Sequence, residues 1–335
     1  MATIKDIAKK AGVSISTVSY ALNNSSKISQ KTKEKIWKIA NELNYKPNTF
    51  ARSLKGKKRN LIGLVVHEIR GPYYPELVRG IQDMIDMYGY NLIIFCELES
   101  KEATSVDFLS NKIVDGALLL SSHINKKHIE ILSKKDIPLV LMDRKIKMPK
   151  VSSVIINNHK GGKLVARHLY ELGHKRIGYM HGSLDSMENK SRFDGFRSEF
   201  KKNGISIRRK DILKGNFTEE GGYKAMKKYL EENGSDIATA FFCANDEMAI
   251  GAISAIKEKG LSIPQDISIV GFDNILFSTY TTHKLTTVKN PVYDLGKLAA
   301  YQLLNMLDGK SSGEVSIELD VELVIRESTG KPRKT

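Results

Sequence analysis

The first 45 residues alternate short amphipathic stretches with polar breaks, and this pattern predicts three short helices. In the first stretch the apolar residues recur at the i, i+3, i+4, i+7 spacing of one buried helix face: Ile4, Ile7, Ala8 and Ala11. Thr3 is a suitable N-cap for that helix, Gly12 breaks it, and Ser14 begins a second helix that runs to about Leu22. Ser29 then caps a third helix, whose apolar stripe is Ile36, Ile39, Ala40 and Leu43.

From Leu61 onward, short apolar runs alternate with amphipathic stretches, which is the pattern of strands alternating with helices. The runs that predict strands are Leu61–Val66, Asn91–Cys96, Gly116–Leu120, Leu139–Met142, Val154–Ile156, Ile177–Met180, Ala240–Cys243 and Ile267–Val270. The stretches that predict helices are Glu76–Tyr88, Gly162–Leu172, Ser191–Asn203, Glu219–Glu232 and Glu247–Lys259. Strands that are apolar throughout are typical of parallel sheets covered by helices on both faces. We therefore predict two similar α/β lobes of about five strands each, with a cleft between them.

Charge is concentrated at one end of the chain. The net charge is +15, and residues 1–59 hold 14 Lys or Arg against three acidic residues, so most of the excess lies there. Such a segment suits a polyanionic partner: DNA, RNA or an acidic membrane surface. The start of the chain has no apolar core of a signal peptide, and no run of about 18 apolar residues occurs, so neither secretion nor a membrane span is predicted. Cys96 and Cys243 sit in or beside apolar runs, and we expect two buried free thiols in a reducing cytoplasm.

The string IKDIAKKAGVSISTVSYALN has the spacing of a helix-turn-helix motif. In that geometry the second helix enters the major groove of DNA with its N-terminal residues leading. These are Ser14, Ile15, Ser16 and Thr17, with Tyr20 one turn later. An ordinary helical cap on a larger domain would share the same apolar pattern, but it would not need the basic charge.

Several strings of the chain resemble the LacI/GalR family of transcriptional regulators. The head matches through IKDIAKKAGVSISTVSYALN, KTKEKIWKIANELNYKPN and ARSLKGK, and the core through VDGALLL, LGHKRIGYMHG, FCANDEMAIGA, ISIVGFDN and LTTVKNP. The resemblance implies an α/β fold with a helix-turn-helix head and a two-lobed, periplasmic-binding-protein-like core of doubly wound parallel sheets. The implied domains are a head at 1–46, a hinge at 47–59 and a core at 60–335. The first lobe would cover about 60–158 and 290–322, and the second about 159–289 and 323–330.

The resemblance also implies operator DNA as a partner, read as a two-fold site by a homodimer. The helices of the first lobe, such as Glu76–Tyr88, and the stretch Pro291–Leu307 are the expected dimer interface. Tyr20 departs from the family, which usually has Arg there, so the usual operator sequence is not expected. The implied DNA-binding residues of the head are Thr3, Ser14, Ile15, Ser16, Thr17, Tyr20, Asn23, Asn24, Lys27 and Ser29.

The segment from Asn48 to Lys57 is about two helical turns long, which is too short for a stable helix on its own in water. In the family the corresponding segment folds on DNA as a hinge helix. The implied contacts are Asn48, Ala51, Arg52, Leu54 and Lys55, with Leu54 as a wedge between base pairs in the minor groove. The alternative is a flexible basic linker that adds only electrostatic attraction.

Polar residues follow several predicted strands, where ligands of parallel α/β sheets bind. Asp143, Asn245 and Asp273 come after strands, and Gly71-Pro72-Tyr73-Tyr74 comes soon after the first strand. By resemblance the effector-binding residues are Arg192, Asn245, Asp273, Asn290 and a residue of the Tyr73-Tyr74 pair, and Asp143 is added because it follows a strand. The alternatives are a turn residue at Asp143 and a salt bridge between Arg192 and Asp273. Acids, amides and aromatic rings around a cleft suit a sugar or a sugar derivative. Asp246 is either a helix N-cap or a ligand contact.

Three alternatives to a regulator controlled by a small molecule are an enzyme, a secreted sugar-binding protein and a regulator with a protein co-effector. An enzyme is not predicted, because HExxH, paired CxxC and GxGxxG motifs are absent; nor is a metal or other cofactor. A secreted sugar-binding protein would share the two-lobed core but not the basic head. Within the family, IQDMIDMYGYNLII and NPVYDLG are similar to regulators that take a phosphocarrier protein as co-effector, and both stretches could equally serve packing.

Overall fold

A computed structural model describes residues 2–22, 24–45, 59–97 and 104–333. The chain forms two compact units, Met1–Arg59 and Asn60–Thr335. None of the helices in the described ranges is long and apolar enough to cross a bilayer.

The first unit contains three helices that share one apolar core. They are α1 (Ile4–Ala11), α2 (Ile15–Leu22) and α3 (Gln30–Glu42). The buried residues of this core are Ile7, Ala8, Ala11, Val18, Ala21, Leu22, Ile36, Ile39 and Ala40. Gly12 ends α1 in the left-handed conformation, with φ +69°, and its N–H donates to the carbonyl of Ala8. The three predicted helices are therefore present, and a left-handed turn joins the first two.

Each helix of the head begins at a hydroxyl side chain that accepts a backbone N–H bond. Thr3 and Asp6 form a capping box on α1, in which the Thr3 N–H donates to Asp6 Oδ2 over 2.8 Å. Ser14 Oγ accepts from the N–H of Thr17 over 3.1 Å, and Ser29 Oγ accepts from the N–H of Thr32 over 3.3 Å. These bonds satisfy donors that a helix start would otherwise leave unpaired.

Thr3→Ala is expected to lower the free energy of unfolding of the head by about 1 kcal/mol, because it removes the cap of α1. Urea unfolding followed by the fluorescence of Trp37 in α3 measures this. Thr3→Ser keeps the hydroxyl and should retain most of the stability. Equal losses in the two variants would contradict a capping role.

The second unit contains two sheets and the helices that cover them. Its strands are β1 (Leu61–Val66), β2 (Asn91–Cys96), β3 (Gly116–Leu120), β4 (Leu139–Leu141), β5 (Val151–Ile156), β6 (Ile177–His181), β7 (Ile212–Lys214), β8 (Ala240–Cys243), β9 (Ser268–Asp273), β10 (Thr286–Lys289), β11 (Ser316–Leu319) and β12 (Glu322–Val324). Its α-helices are α4 (Tyr73–Asp86), α5 (Thr104–Ser110), α6 (Lys126–Lys134), α7 (Asn158–Glu171), α8 (Met187–Lys202), α9 (Glu219–Asn233), α10 (Asp246–Glu258) and α11 (Val292–Leu307). Short 3-10 helices lie at Arg209–Asp211 and Leu276–Thr279.

Both sheets have six strands in the described ranges and the crossed strand order of doubly wound folds. The first sheet runs β11-β5-β4-β3-β1-β2 with every pair parallel, and β1 sets Leu64 opposite Ile94 on one side and Leu118 on the other. The second runs β12-β10-β9-β8-β6-β7, with only the β10–β12 pair antiparallel. The chain passes between the sheets three times: after β5, after β10, and between β11 and β12. The predicted fold class is confirmed.

Several element boundaries differ from the prediction. α7 begins at Asn158 and α8 at Met187, four residues earlier than predicted, because Asn157 and Ser186 cap them by accepting from the backbone of Lys160 and Asn189. The prediction of five strands per lobe was wrong, because it missed β7, β10, β11 and β12, which have three or four residues each.

Cys243 is buried as expected, but Cys96 is exposed at the end of the edge strand β2.

Helices α7 and α8 pack closely because each has a glycine where they cross. A β-carbon at Gly162 would lie 2.0 Å from the carbonyl oxygen of Arg192 on α8. A β-carbon at Gly195 would lie 2.1 Å from the carbonyl oxygen of His159 on α7. Both obstacles are backbone atoms, so the helices would have to separate to admit any side chain. This packing fixes the backbone from which Arg192 extends.

Candidate DNA-binding helix and ligand cleft

Helix α2 presents an exposed face on the side away from the core of the head. Val18, Ala21 and Leu22 are buried, whereas Ile15 is 50% exposed and Tyr20 43% exposed. Ser16 is also exposed on this helix. Two large apolar or aromatic side chains exposed on a two-turn helix are typical of a recognition surface rather than of packing.

Basic and amide groups lie next to this face. The ammonium of Lys27 sits 5.5 Å from the centre of the Tyr20 ring, a distance at which the ring attracts the cation. Lys33 Nζ donates to Asn24 Oδ1 over 2.9 Å, and Asn24 has a φ of +53°. Thr3, Ser14 and Ser29, which the sequence assigned to DNA, act here as helix caps. Thr17, half-buried on α2, is described, and six further predicted DNA contacts lie outside the described residues: Asn23, Asn48, Ala51, Arg52, Leu54 and Lys55.

The second unit contains a cleft with a cavity of about 350 Å³. Six of the seven predicted effector-binding residues line it: Tyr73, Tyr74, Asp143, Arg192, Asn245 and Asp273. Asn290 does not line it, and instead its Nδ2 donates to Asp273 Oδ1 over 2.9 Å. The rule of strand ends accounts for Asp143, Asn245 and Asp273, whereas Tyr73, Tyr74 and Arg192 reach the same cavity from helices α4 and α8.

Arg192 is held rigidly at the base of the cleft. Its Nε donates to Asn158 Oδ1 over 2.8 Å, and its Nη1 donates to the carbonyl of Ala244 over 2.5 Å. Its guanidinium lies over the Phe272 ring, 3.6 Å from the centre. Nη2 lies 3.7 Å from Asp273 Oδ1. A guanidinium that packs on a ring and is hydrogen-bonded at two nitrogens can offer its remaining N–H groups to a ligand at little cost in entropy.

Asp273 combines burial with an unusual backbone conformation. Its φ is +108°, a region that residues other than glycine rarely adopt. Burial raises the pKa of its carboxyl group, while the charge of Arg192 and the hydrogen bond from Asn290 oppose that rise. Strained backbone in a buried polar position is typical of functional sites.

Asn245 and the neighbouring Asp246 have different roles, and the role of Asp246 is neither of the two that the sequence left open. Asn245 is the N-cap of α10, with Oδ1 accepting from the N–H of Met248 over 3.0 Å, and its Nδ2 donates to the carbonyl of Phe217. Asp246 is fully buried, and its carboxylate accepts hydrogen bonds from the N–H of Ile275 and from the hydroxyl of Thr287. Neither alternative for Asp246 was right, since it neither caps the helix nor lines the cleft.

Three buried polar atoms in the first-sheet wall of the cleft have no hydrogen-bond partner among the described residues. They are His67 Nδ1, His123 Nδ1 and Asp143 Oδ1. The two histidine rings pack edge to face with 5.0 Å between their centres. Buried polar atoms are nearly always paired in folded proteins, so a group of unpaired ones in a cavity wall indicates a site that a ligand completes.

The sequence did not single out several other lining residues. His67 and Glu68 follow β1, and His123 follows β3, so the rule of strand ends would have found them. Glu188 and Glu247 lie in the first turns of α8 and α10. Acidic residues are common there for the sake of the helix dipole, so their sequence positions alone do not indicate a ligand. Phe217 lies between β7 and α9 and carried no signal.

Two carboxyl groups of the cleft have pKa values near neutrality. Burial and the nearby charge of Glu188 raise the pKa of Asp143 to about 7, although Arg144 acts against that rise. Burial and three neighbouring carboxylates raise the pKa of Glu247 to about 7: Asp273, Glu68 and Glu219. Both groups therefore hold protons in the folded protein at pH values where they would be ionised in the unfolded chain.

The free energy of unfolding of the ligand-free core is expected to contain a term that falls as pH rises from about 4 to about 7. Over that window the folded state keeps protons on Asp143 and Glu247 that the unfolded chain, with ordinary pKa values near 4, releases. The double variant Asp143→Asn, Glu247→Gln should therefore lose less stability than the natural sequence over this range. Urea midpoints measured across the window test this, and identical slopes in the two proteins would contradict it.

Comparisons with known proteins agree with this architecture. Residues 3–48 match the family of bacterial regulatory proteins of the lacI type, and residues 166–329 match the periplasmic binding protein-like domain. The HTH-type transcriptional repressor PurR of Haemophilus influenzae (strain PittEE) is 36% identical over 337 residues, which cover 98% of each chain. The crystal structure of the Lac repressor dimer bound to operator and the anti-inducer ONPF has a TM-score of 0.80 at 30% identity, covering 98% of this chain and 99% of that one. A LacI family regulator from Enterococcus faecium with bound ribose has a TM-score of 0.72 at 29% identity, covering 81% and 99%.

These relatives are regulators rather than enzymes, which confirms the prediction that the chain is not an enzyme. The PurR alignment extends over nearly the whole chain, so the relationship includes both the head and the two-sheet core. The family resemblance inferred from the sequence is confirmed. The chain belongs to the LacI family of helix-turn-helix, DNA-binding transcriptional repressors.

Proposed function

We propose that this repressor binds a two-fold symmetric operator as a homodimer, and that a sugar or sugar derivative in the cleft controls its hold on DNA. The observation that carries the DNA part is the exposed face of α2, where Ile15, Ser16 and Tyr20 project from a helix whose other side is buried. In helix-turn-helix proteins the second helix lies in the major groove. The action of such a repressor on DNA places it in the cytoplasm.

Because of Tyr20, we expect this protein to bind an operator sequence that differs from those bound by family members with arginine at this position. An aromatic ring can pack on a thymine methyl group or reach a phosphate through its hydroxyl, whereas an arginine would bind guanine through two hydrogen bonds. Lys27, 5.5 Å from the ring centre, adds a positive charge beside it. The hinge at 47–59 and the wedge at Leu54 remain predictions from the family resemblance.

Exposed apolar side chains of the second unit support the homodimer. At the end of α4, Met87 is 78% exposed, and Tyr88 beside it is also exposed. Leu276 and Phe277 are exposed on a 3-10 helix, with Tyr280 directly after it. Apolar side chains grouped on a surface indicate a protein interface, and a two-fold dimer matches a two-fold operator. We propose that a second copy of the chain covers them.

The lining of the cleft supports a polyhydroxylated effector. Carboxylates such as Asp143 and Asp273 accept hydrogen bonds from hydroxyl groups, and Arg192 donates them. The rings of Tyr73 and Tyr74 meet edge to face, 5.3 Å apart, and together with Phe217 they offer apolar surface to a sugar ring. The relative from Enterococcus faecium was crystallised with ribose, a sugar.

Selection of DNA from a random pool with the full chain tests the DNA part of this proposal. We expect enrichment of a sequence with two-fold symmetry, bound more tightly in fluorescence anisotropy than a scrambled control at the same salt concentration. Tyr20→Ala should alter the enriched sequence, while Glu231→Gln, an exposed change on α9, should not. Binding to all sequences alike, with only a steep dependence on salt, would contradict sequence-specific recognition.

A further inference from the structure

The cleft of this chain holds more carboxylates than cationic groups. Its lining includes two arginines, Arg70 and Arg192, and six acidic residues: Glu68, Asp143, Asp185, Glu188, Glu247 and Asp273. We infer that the effector carries a positive charge and is an amino sugar or a similar polyhydroxylated amine. This inference rests on the proposed function, because it assumes that the effector binds in this cleft.

Each arginine in or beside the cleft already has an acidic partner. Arg192 lies 3.7 Å from Asp273, and Arg70, at the solvent-exposed rim, lies 2.6 Å from Glu68. Arg144, beside the cleft, lies 3.4 Å from Asp143 and donates to the carbonyl groups of Ser121 and Ile124. None of these three arginines is therefore left to pair with the other acidic residues of the lining.

Three lining acids remain without a cationic partner. In the described ranges, no lysine, arginine or histidine lies within 4.0 Å of the carboxylates of Asp185, Glu188 or Glu247. Glu188 accepts a hydrogen bond from the hydroxyl of Ser186 over 2.7 Å, which supplies a donor but no positive charge. Glu247 reaches the opposite side of the cleft, since a β-carbon at Gly71 would lie 2.3 Å from its Oε1. These three acidic residues line one cavity from the starts of α8 and α10.

Asp143 independently indicates a hydrogen-bond donor on the ligand. Its side chain is only 4% exposed, it lines the cleft, and its Oδ1 accepts no hydrogen bond. Arg144 Nε is close, but it too makes no hydrogen bond, so the pair is not aligned for one. A buried carboxylate oxygen without a donor is costly, and an ammonium group on a ligand would supply up to three donors.

Aromatic rings complete the chemistry of ammonium recognition. Tyr73, Tyr74 and Phe217 line the same cavity as the unpaired acids. Aromatic faces attract cations, and this attraction grows when the cation is removed from water. An ammonium group would favour the ionised form of Asp143 and Glu247, whereas a phosphorylated or acidic sugar would place its negative charge beside Glu188 and oppose the ionisation of the other two. The combination of rings and unpaired acids therefore favours the amine and disfavours the phosphate.

Isothermal titration calorimetry with matched sugars and the full chain, without DNA, tests this inference. Each of glucose, galactose and mannose is compared with its 2-amino derivative and with its 6-phosphate. We expect at least one amino sugar to bind about tenfold or more tightly than its hydroxyl counterpart, because hydrogen bonds to charged groups are about twice as strong as neutral ones. Tightest binding by a neutral or phosphorylated sugar, or no binding by any amino sugar, would overturn the inference.

Variants of the unpaired acids test whether the preference for amino sugars arises in the cleft. In Glu188→Gln and Glu247→Gln the ratio of amino-sugar to hydroxyl-sugar affinity should fall several-fold, while the exposed control Glu231→Gln should keep it. An unchanged ratio in both cleft variants would contradict the assignment of the amine to these acids.

The calorimetry is independent of DNA, so effector control of operator binding and the positive charge of the effector can fail separately. An amino sugar that binds without affecting operator affinity would refute effector control alone, and a neutral sugar that controls operator binding would refute the charge alone.

Discussion

Asp273→Asn is expected to weaken effector binding about 10- to 100-fold and to leave operator binding unchanged in the absence of effector. The substitution keeps the shape of the side chain and an oxygen that can accept from Asn290, but it removes the negative charge beside Arg192. Hydrogen bonds to charged groups contribute about 1.5–3 kcal/mol, which corresponds to this range. Asparagine also tolerates positive φ, so the backbone conformation at +108° should persist.

Calorimetry measures the effector affinity of the variant, and anisotropy measures its operator affinity. Glu231→Gln serves as the control, because it also removes one acid but lies outside the cleft. Effector affinity within twofold of the natural sequence would contradict the placement of Asp273 in the binding site. A parallel loss of operator affinity would instead indicate general damage to the protein.

Gly162→Val is expected to destabilise the core by about 3 kcal/mol. The added β-carbon would meet the carbonyl oxygen of Arg192 at 2.0 Å and the amide nitrogen of Phe196 at 2.7 Å, so α7 and α8 would have to move apart. Overpacking of this kind costs about 1–3 kcal/mol and occasionally more, and here the obstacle is rigid backbone. Because Arg192 moves with α8, effector affinity should fall as well.

Urea unfolding followed by circular dichroism measures the change in the free energy of unfolding. Lys163→Val, one residue further along α7, places the same side chain on a partly exposed position and should change stability by only about 0.5 kcal/mol. A core as stable in Gly162→Val as in the natural sequence would show that the two helices do not depend on close contact at this glycine.

The fold could be predicted from the sequence wherever one strand or helix contains its own signal. β1, β2, β3 and β8 begin and end at the predicted residues, because each is an apolar run bounded by polar or turn residues. β11 and β12 could not be predicted in this way. β11 pairs with β5, which lies about 160 positions earlier in the chain, so its conformation depends on a distant neighbour and not on local pattern.

The ligand cleft was predictable to the extent that its residues follow strands. Asp143 and Asp273 come at the carboxyl ends of strands, and topology brings such positions together. Asn290 was predicted from the family resemblance as an effector contact, but it reaches the site only indirectly, through a side-chain hydrogen bond to Asp273 that no sequence spacing reveals. The excess of carboxylates likewise emerges only in three dimensions, because Glu188 and Glu247 come from helices 59 positions apart in the sequence.

We propose that occupation of the cleft and binding of operator DNA are linked. Linkage requires that a bound ligand change operator affinity by the same factor by which bound operator changes ligand affinity. The direct test takes the sugar that binds most tightly in calorimetry and measures both factors with the full chain at one salt concentration. We expect two equal factors, on the order of 5- to 150-fold. Operator affinity that stays the same when the cleft is saturated would contradict it.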